Sequence, residues 1–68
     1  MTQDIVELLI RNVESGGLST KIAAIKALGE GAPATEEVIN CLKKTVEQGG
    51  NDARCAALFA LGRIFRNK

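Results

Sequence analysis

Apolar residues recur along the chain at the spacing of helical faces, and the pattern is written twice. In the first stretch Ile5, Leu8, Leu9 and Val13 stand at i, i+3, i+4 and i+8, which puts them on one side of a helix. Val38, Cys41, Leu42 and Val46 repeat that spacing. Each stretch ends at a glycine pair, Gly16-Gly17 or Gly49-Gly50. Glycine just past a helix supplies a left-handed residue, so the pairs are expected to close the first helices that way and reverse the chain. A second helix then follows in each case, through Ile22-Ala23-Ala24-Ile25 or Cys55-Ala56-Ala57-Leu58, with Ser19 and Asp52 as the expected N-caps. Between the two units, Gly31-Ala32-Pro33-Ala34-Thr35 combines stop and start signals. Thr35 is the expected cap of the third helix, and Glu36 and Glu37 suit the positive end of its dipole.

A shift of about 33 residues, a length typical of helical repeats, lays residues 5–29 over 38–62 without a gap. Leu9/Leu42, Val13/Val46, Glu14/Glu47, Gly16/Gly49, Gly17/Gly50, Ala23/Ala56, Ala24/Ala57, Ala27/Ala60, Leu28/Leu61 and Gly29/Gly62 are identical pairs. Ile5/Val38, Val6/Ile39, Arg11/Lys44, Lys21/Arg54 and Ile25/Leu58 are conservative ones. The pattern predicts an all-α fold: four antiparallel helices forming two helical-hairpin repeats, a short α-solenoid. Residues 1–68 form a single domain, with repeat one at 3–31, a linker at 31–35 and repeat two at 35–66.

Composition narrows the core and the setting. The chain has 68 residues, 46% of them apolar, and its only aromatic residues are two Phe. The core is therefore aliphatic and rich in Ala, which allows helices to approach closely and favours helix formation. So short a chain buries only about 60% of the surface that its unfolded form exposes. The net charge of +1 does not call for a polyanionic partner. The charge is uneven, however: the last segment carries Arg54, Arg63, Arg66 and Lys68 and no acid after Asp52. No run approaches the roughly 18 apolar residues of a membrane span. The N-terminus lacks the basic start of a signal peptide, and two cysteines are too few for a disulfide framework. A cytoplasmic protein is the expectation.

The chain carries few residues suited to chemistry. With no His in the chain, the commonest acid/base group and metal ligand is missing. Cys41 and Cys55 lack the paired spacing of a zinc site; they are expected to be small buried thiols facing each other across the second hairpin. Glu36 and Glu37 are adjacent and so point apart on a helix. Neither glycine pair is followed by the Lys-Ser/Thr of a phosphate loop. Lys21, Lys26, Arg54, Arg63, Arg66 and Lys68 are scattered among acids without stacking aromatics, a poor footprint for nucleic acid. The expectation is no enzyme, no catalytic residue, no metal and no cofactor.

The segments Ile22-Ala23-Ala24-Ile25-Lys26-Ala27-Leu28-Gly29 and Arg54-Cys55-Ala56-Ala57-Leu58-Phe59-Ala60-Leu61-Gly62 resemble the second-helix signature of HEAT-like repeats, particularly the short bacterial type of phycobilisome lyases. Lys21 and Arg54 occupy the basic position of that signature. The Gly-Gly turns depart from it, since the family often has an Asp-Pro start there. The resemblance covers nearly the whole chain. It implies a right-handed stack and a scaffold or adaptor role, with an accessory subunit of a bilin (chromophore) lyase as the alternative. For the cysteines, a regulatory disulfide or a thiol that holds a tetrapyrrole is the alternative to two buried thiols.

Solenoid repeats bury their apolar surface against neighbours, and about three are usually needed for stability. Two copies leave ends to cover. Val6 and Ile10 add apolar surface to the first helix, and Ile10 aligns with Lys43. The last helix is apolar almost all round, and Lys26 aligns with Phe59. If Lys26 marks an exposed position, then Phe59 is exposed too. Cys55, Phe59, Arg63 and Arg66 share one side of that helix and are the candidate partner-binding residues, an apolar anchor among arginines. Phe59 either belongs to a contact surface or folds back as a cap on the open end. A protein partner or self-association, with no membrane and no nucleic acid, is the expected use. A fragment of a longer helical-repeat array is a further expectation.

Overall fold

The computed structural model describes residues 2–66, which leaves Lys68 outside the described residues. These form four helices, α1 (Gln3–Ser15), α2 (Leu18–Gly31), α3 (Glu36–Gln48) and α4 (Asn51–Arg66), with no strand among the described residues. The fold is all-α, four helices in two hairpins.

The first helices start alike. The Oγ1 of Thr35 accepts a hydrogen bond from the Val38 amide at 3.3 Å, and Thr2, 33 residues earlier, accepts from the Ile5 amide at 3.4 Å. Each satisfies a backbone donor that a helix start leaves open. The second helices start differently from expectation. Gly17 caps α2 with no side-chain hydrogen bond, so Ser19 lies inside the first turn, and Asp52 likewise follows the start of α4 at Asn51. The physical reason is that the glycine pair itself turns the chain. Gly16 (φ −79, ψ 163) and Gly17 (φ −67, ψ 174) are both extended, and the next residue is already helical.

No described glycine has a positive φ, so the expected left-handed closure is not used. Space is what demands glycine at the first position of each pair. A Cβ on Gly16 would stand 2.5 Å from the carbonyl oxygen of Asn12, and one on Gly49 would stand 2.6 Å from that of Thr45. The second glycine of each pair faces open space.

α2 and α4 form the spine of the stack, α1 packs on α2, α3 packs on α4, and α1 touches α3 more lightly. The core is aliphatic, as composition demands: Val6 and Val13 from α1, Ala24, Ile25 and Leu28 from α2, Val38, Cys41 and Leu42 from α3, and Ala53, Ala57, Ala60 and Ile64 from α4. Thr45 is the buried polar residue among the described residues, and its hydroxyl donates to the Cys41 carbonyl at 2.9 Å, which removes the cost of burying it.

The apolar face assigned to α1 needs correction. Val13 is buried and Leu9 packs against the core as expected, and Val6 and Ile10 join them there, but Ile5 is 45% and Leu8 48% exposed. Their aligned residues in α3, Val38 and Cys41, are buried. The difference follows from stacking order. Those positions of α3 have α1 beside them, whereas in α1 they point away from repeat two.

Candidate functional site: the open face of α4

α4 has two apolar sides with different fates. Ala53, Ala57, Ala60 and Ile64, at i, i+4, i+7 and i+11, are buried. Cys55, Leu58, Gly62 and Phe65, at i, i+3, i+7 and i+10, are all exposed. The aligned residues of α2 are Ile22, Ile25, Gly29 and Ala32, and every one of them is buried or half-buried. Ile25 is 0% exposed and Leu58 is 53% exposed. The same position of the repeat is thus a core site in one copy and a surface site in the other, because α4 covers it in the first.

Phe59 is 61% exposed, and its aligned residue Lys26 is exposed as well. A capping Phe59 would be covered by the end it closes; this one stands in solvent beside Arg63, whose guanidinium carbon lies 5.6 Å from the ring centroid. Arg63 also reaches back to repeat one, where its Nη2 donates to Oε1 of Glu30 at 2.7 Å. An exposed pair of this kind contributes about 0–1 kcal/mol, but it fixes the arginine over the ring. The buried Nε of Arg63 has no hydrogen-bond partner among the described residues. Arg66 is exposed in the last turn, where a cation suits the negative end of the helix dipole. Cys55, Phe59 and Arg63 therefore form a strip along one side of α4, with Arg66 at its end.

The two thiols part company. Cys55 is exposed while Cys41 is buried, so the expectation of two buried thiols is corrected for Cys55. Cys41 faces a cleft of about 260 Å³ bordered by Val13, Glu14, Lys21, Lys44 and Thr45. Burial, assisted by the Glu14 carboxylate and opposed by Lys44, pushes its thiol up to about 11. At neutral pH it is protonated and a weak nucleophile. Among the described residues there is no group of three or more His, Cys, Asp or Glu that could hold a metal ion. No helix there is long and apolar enough to cross a membrane.

Leu58 and Gly62, which widen the α4 surface beyond the arginine strip, were not singled out by sequence reasoning; nor was the second exposed face, carried by Ile5, Leu8 and Thr20. Each of these exposed residues is aligned with a buried one in the other repeat, a difference that the order of stacking sets and the letters do not. Compared with protein-family models, curated proteins and solved structures, the chain matches none.

Proposed function

We propose that the chain is a small protein-binding adaptor without catalytic activity, built from two HEAT-like repeats and working through the outer face of α4. The observation that carries this reading is the contrast between Ile25 and Leu58, fully buried and 53% exposed at the same place in the repeat. Around Leu58 stand Cys55, Phe59 and Gly62, all exposed. A contiguous apolar surface of this kind on so small a body is the usual mark of an interaction site, and an aromatic residue backed by an ordered arginine is a typical anchor. Arg63 and Arg66 give the rim a basic character that favours a partner with acidic groups opposite. Two free cysteines suit a reducing compartment such as the cytoplasm.

The test is to compare wild type with Leu58→Lys and Phe59→Lys, the second of which restores the residue type of repeat one. Binding is read by light scattering for self-association and by pull-down for other proteins, with helicity followed by circular dichroism. Loss of association with unchanged helicity is the expected result. Association unaffected by both substitutions would remove α4 from the reading.

A further inference from the structure

We propose that the occupant of the α4 face is a second copy of this chain, added head to tail, so that the α1–α2 end of one copy continues the stack at the α4 end of another. The proposal rests on the reading of α4 as a protein-binding surface and names its partner.

The joint is already built once inside each chain. There α4 packs on α2, with Ala60 against Gly29 and Ala53 and Ile64 buried on the same helix. One repeat earlier, the aligned residues Thr20, Ala27 and Gly31 are small, and they are exposed or half-buried. They are what a further copy presents to α4. On the receiving side, Ile22, Ile25 and Gly29 of α2 correspond to Cys55, Leu58 and Gly62 of α4, again apolar residues followed by glycine.

The glycine makes the match specific. Within the chain, Gly29 gives Ala60 room that a Cβ would remove, because that Cβ would meet the Ala60 Cα and Cβ at 2.9 Å. Gly62 has the same room and nothing in it: a Cβ there meets no atom within 4 Å. Ala27 of an incoming copy stands in register to fill it. The first helices follow suit, since Ile5 and Leu8 occupy the positions by which Val38 and Cys41 are buried.

Charge agrees along the second helices. Glu30 and Arg63 are aligned positions, 33 residues apart, that pair across the internal joint at 2.7 Å. At a new joint Arg63 of one copy faces Glu30 of the next, with the signs still opposed. The two faces are different surfaces, so the contact is heterologous and, unless it closes into a ring, adds copies without limit.

The experiment is sedimentation velocity of the wild-type chain over a wide concentration range, alongside Thr20→Arg and Gly62→Arg. Both sites are exposed, and circular dichroism checks that each variant keeps its helices. Leu8→Glu and Leu58→Glu serve as the second pair for the same two faces. The expected result is a wild-type mass that grows with concentration beyond the dimer, two variants that are each monomeric, and an equimolar mixture of the two that forms a dimer and stops. That last outcome arises because each variant retains one intact face. A dimer that survives Thr20→Arg but not Gly62→Arg would mean symmetric pairing through α4; it would overturn the head-to-tail joint and leave the binding role of α4 standing. A wild type that stays monomeric throughout would likewise overturn the joint alone. Self-association untouched by Gly62→Arg and by Leu58→Glu would overturn both the joint and the role of α4.

Discussion

Gly29 and Ala60 approach so closely that a Cβ built on the glycine would lie 2.9 Å from the Cβ of the alanine. This contact sets the spacing of α2 and α4 and hence of the two repeats, and glycine is required because a neighbouring backbone, not only a side chain, stands in the way. Gly62 is the aligned residue and stands clear. Identical letters in the two copies therefore carry opposite constraints.

Gly29→Ala and Gly62→Ala should move stability in opposite directions. Alanine improves helix propensity by about 1 kcal/mol at either site. At Gly29 that gain is outweighed by overpacking against Ala60, which typically costs about 1–3 kcal/mol, for a net loss of about 1 kcal/mol. At Gly62 the gain stands. Urea unfolding of dilute, monomeric protein measures both, and equal effects at the two sites would contradict the close approach.

The four helices and their pairing were legible because the 33-residue repeat states them twice, and Thr35 announced itself as a cap by type and position. The exposure of Phe59 followed from Lys26 at the same place in repeat one. What could not be read was which copy has a neighbour. Ile5 and Val38 are equivalent in sequence, and only the order of stacking exposes the first and buries the second. The glycine turn was illegible for a different reason: a glycine can be required for space in extended backbone, and letters alone do not separate that from a positive φ.

Leu28→Ala and Leu61→Ala should differ although the residues are aligned. Leu28 is 0% exposed, and truncating a buried leucine costs about 2–5 kcal/mol, enough to unfold a domain of this size. Leu61 is only half-buried on the terminal repeat, and its loss should leave a folded chain with a lower midpoint. Thermal unfolding followed by circular dichroism distinguishes the two, and a larger effect at Leu61 would contradict the core assignment.

Cys41 should make stability fall in alkali. Its thiol rises from 9.0 to about 11 on folding, chiefly because it is buried. Below 9 the folded and unfolded chains both hold the proton and the thiol contributes no pH dependence. Between 9 and 11 the unfolded chain binds fewer protons, so stability drops as pH rises, by about 2–3 kcal/mol in all, and levels off above the folded value. Cys41→Ala should lack this part of the decline, and parallel profiles for the two proteins would contradict it.

Cys55 offers a direct report on the α4 face. As the exposed thiol, it should react quickly with a maleimide in the native chain, while buried Cys41 reacts only on unfolding. Labelling should slow as concentration rises and copies stack. A bulky adduct at Cys55, the counterpart of half-buried Ile22, should in turn hold the chain as a monomer. Labelling rates independent of concentration, in a range where the mass grows, would place Cys55 outside the joint.

Along the first helices the repeat arithmetic opposes stacking at the α1–α3 seam. Inside the chain, the Gln3 side-chain amide donates to Glu37 at 2.9 Å across the α1–α3 seam. Shifted by one repeat, Gln3 becomes Glu36 and Glu37 becomes Asp4, so a head-to-tail joint sets Glu36 of one copy against Asp4 of the next. Like charges there weaken the joint in the same measure that an exposed pair strengthens one, up to about 1 kcal/mol. Glu36→Gln restores the residue type of repeat one and turns the repulsion into an amide–carboxylate hydrogen bond. Association should tighten several-fold, and the difference from wild type should shrink in high salt as screening removes the repulsion. Weaker association in Glu36→Gln than in wild type would show that α1 and α3 do not meet in the assembled stack as they do within the chain.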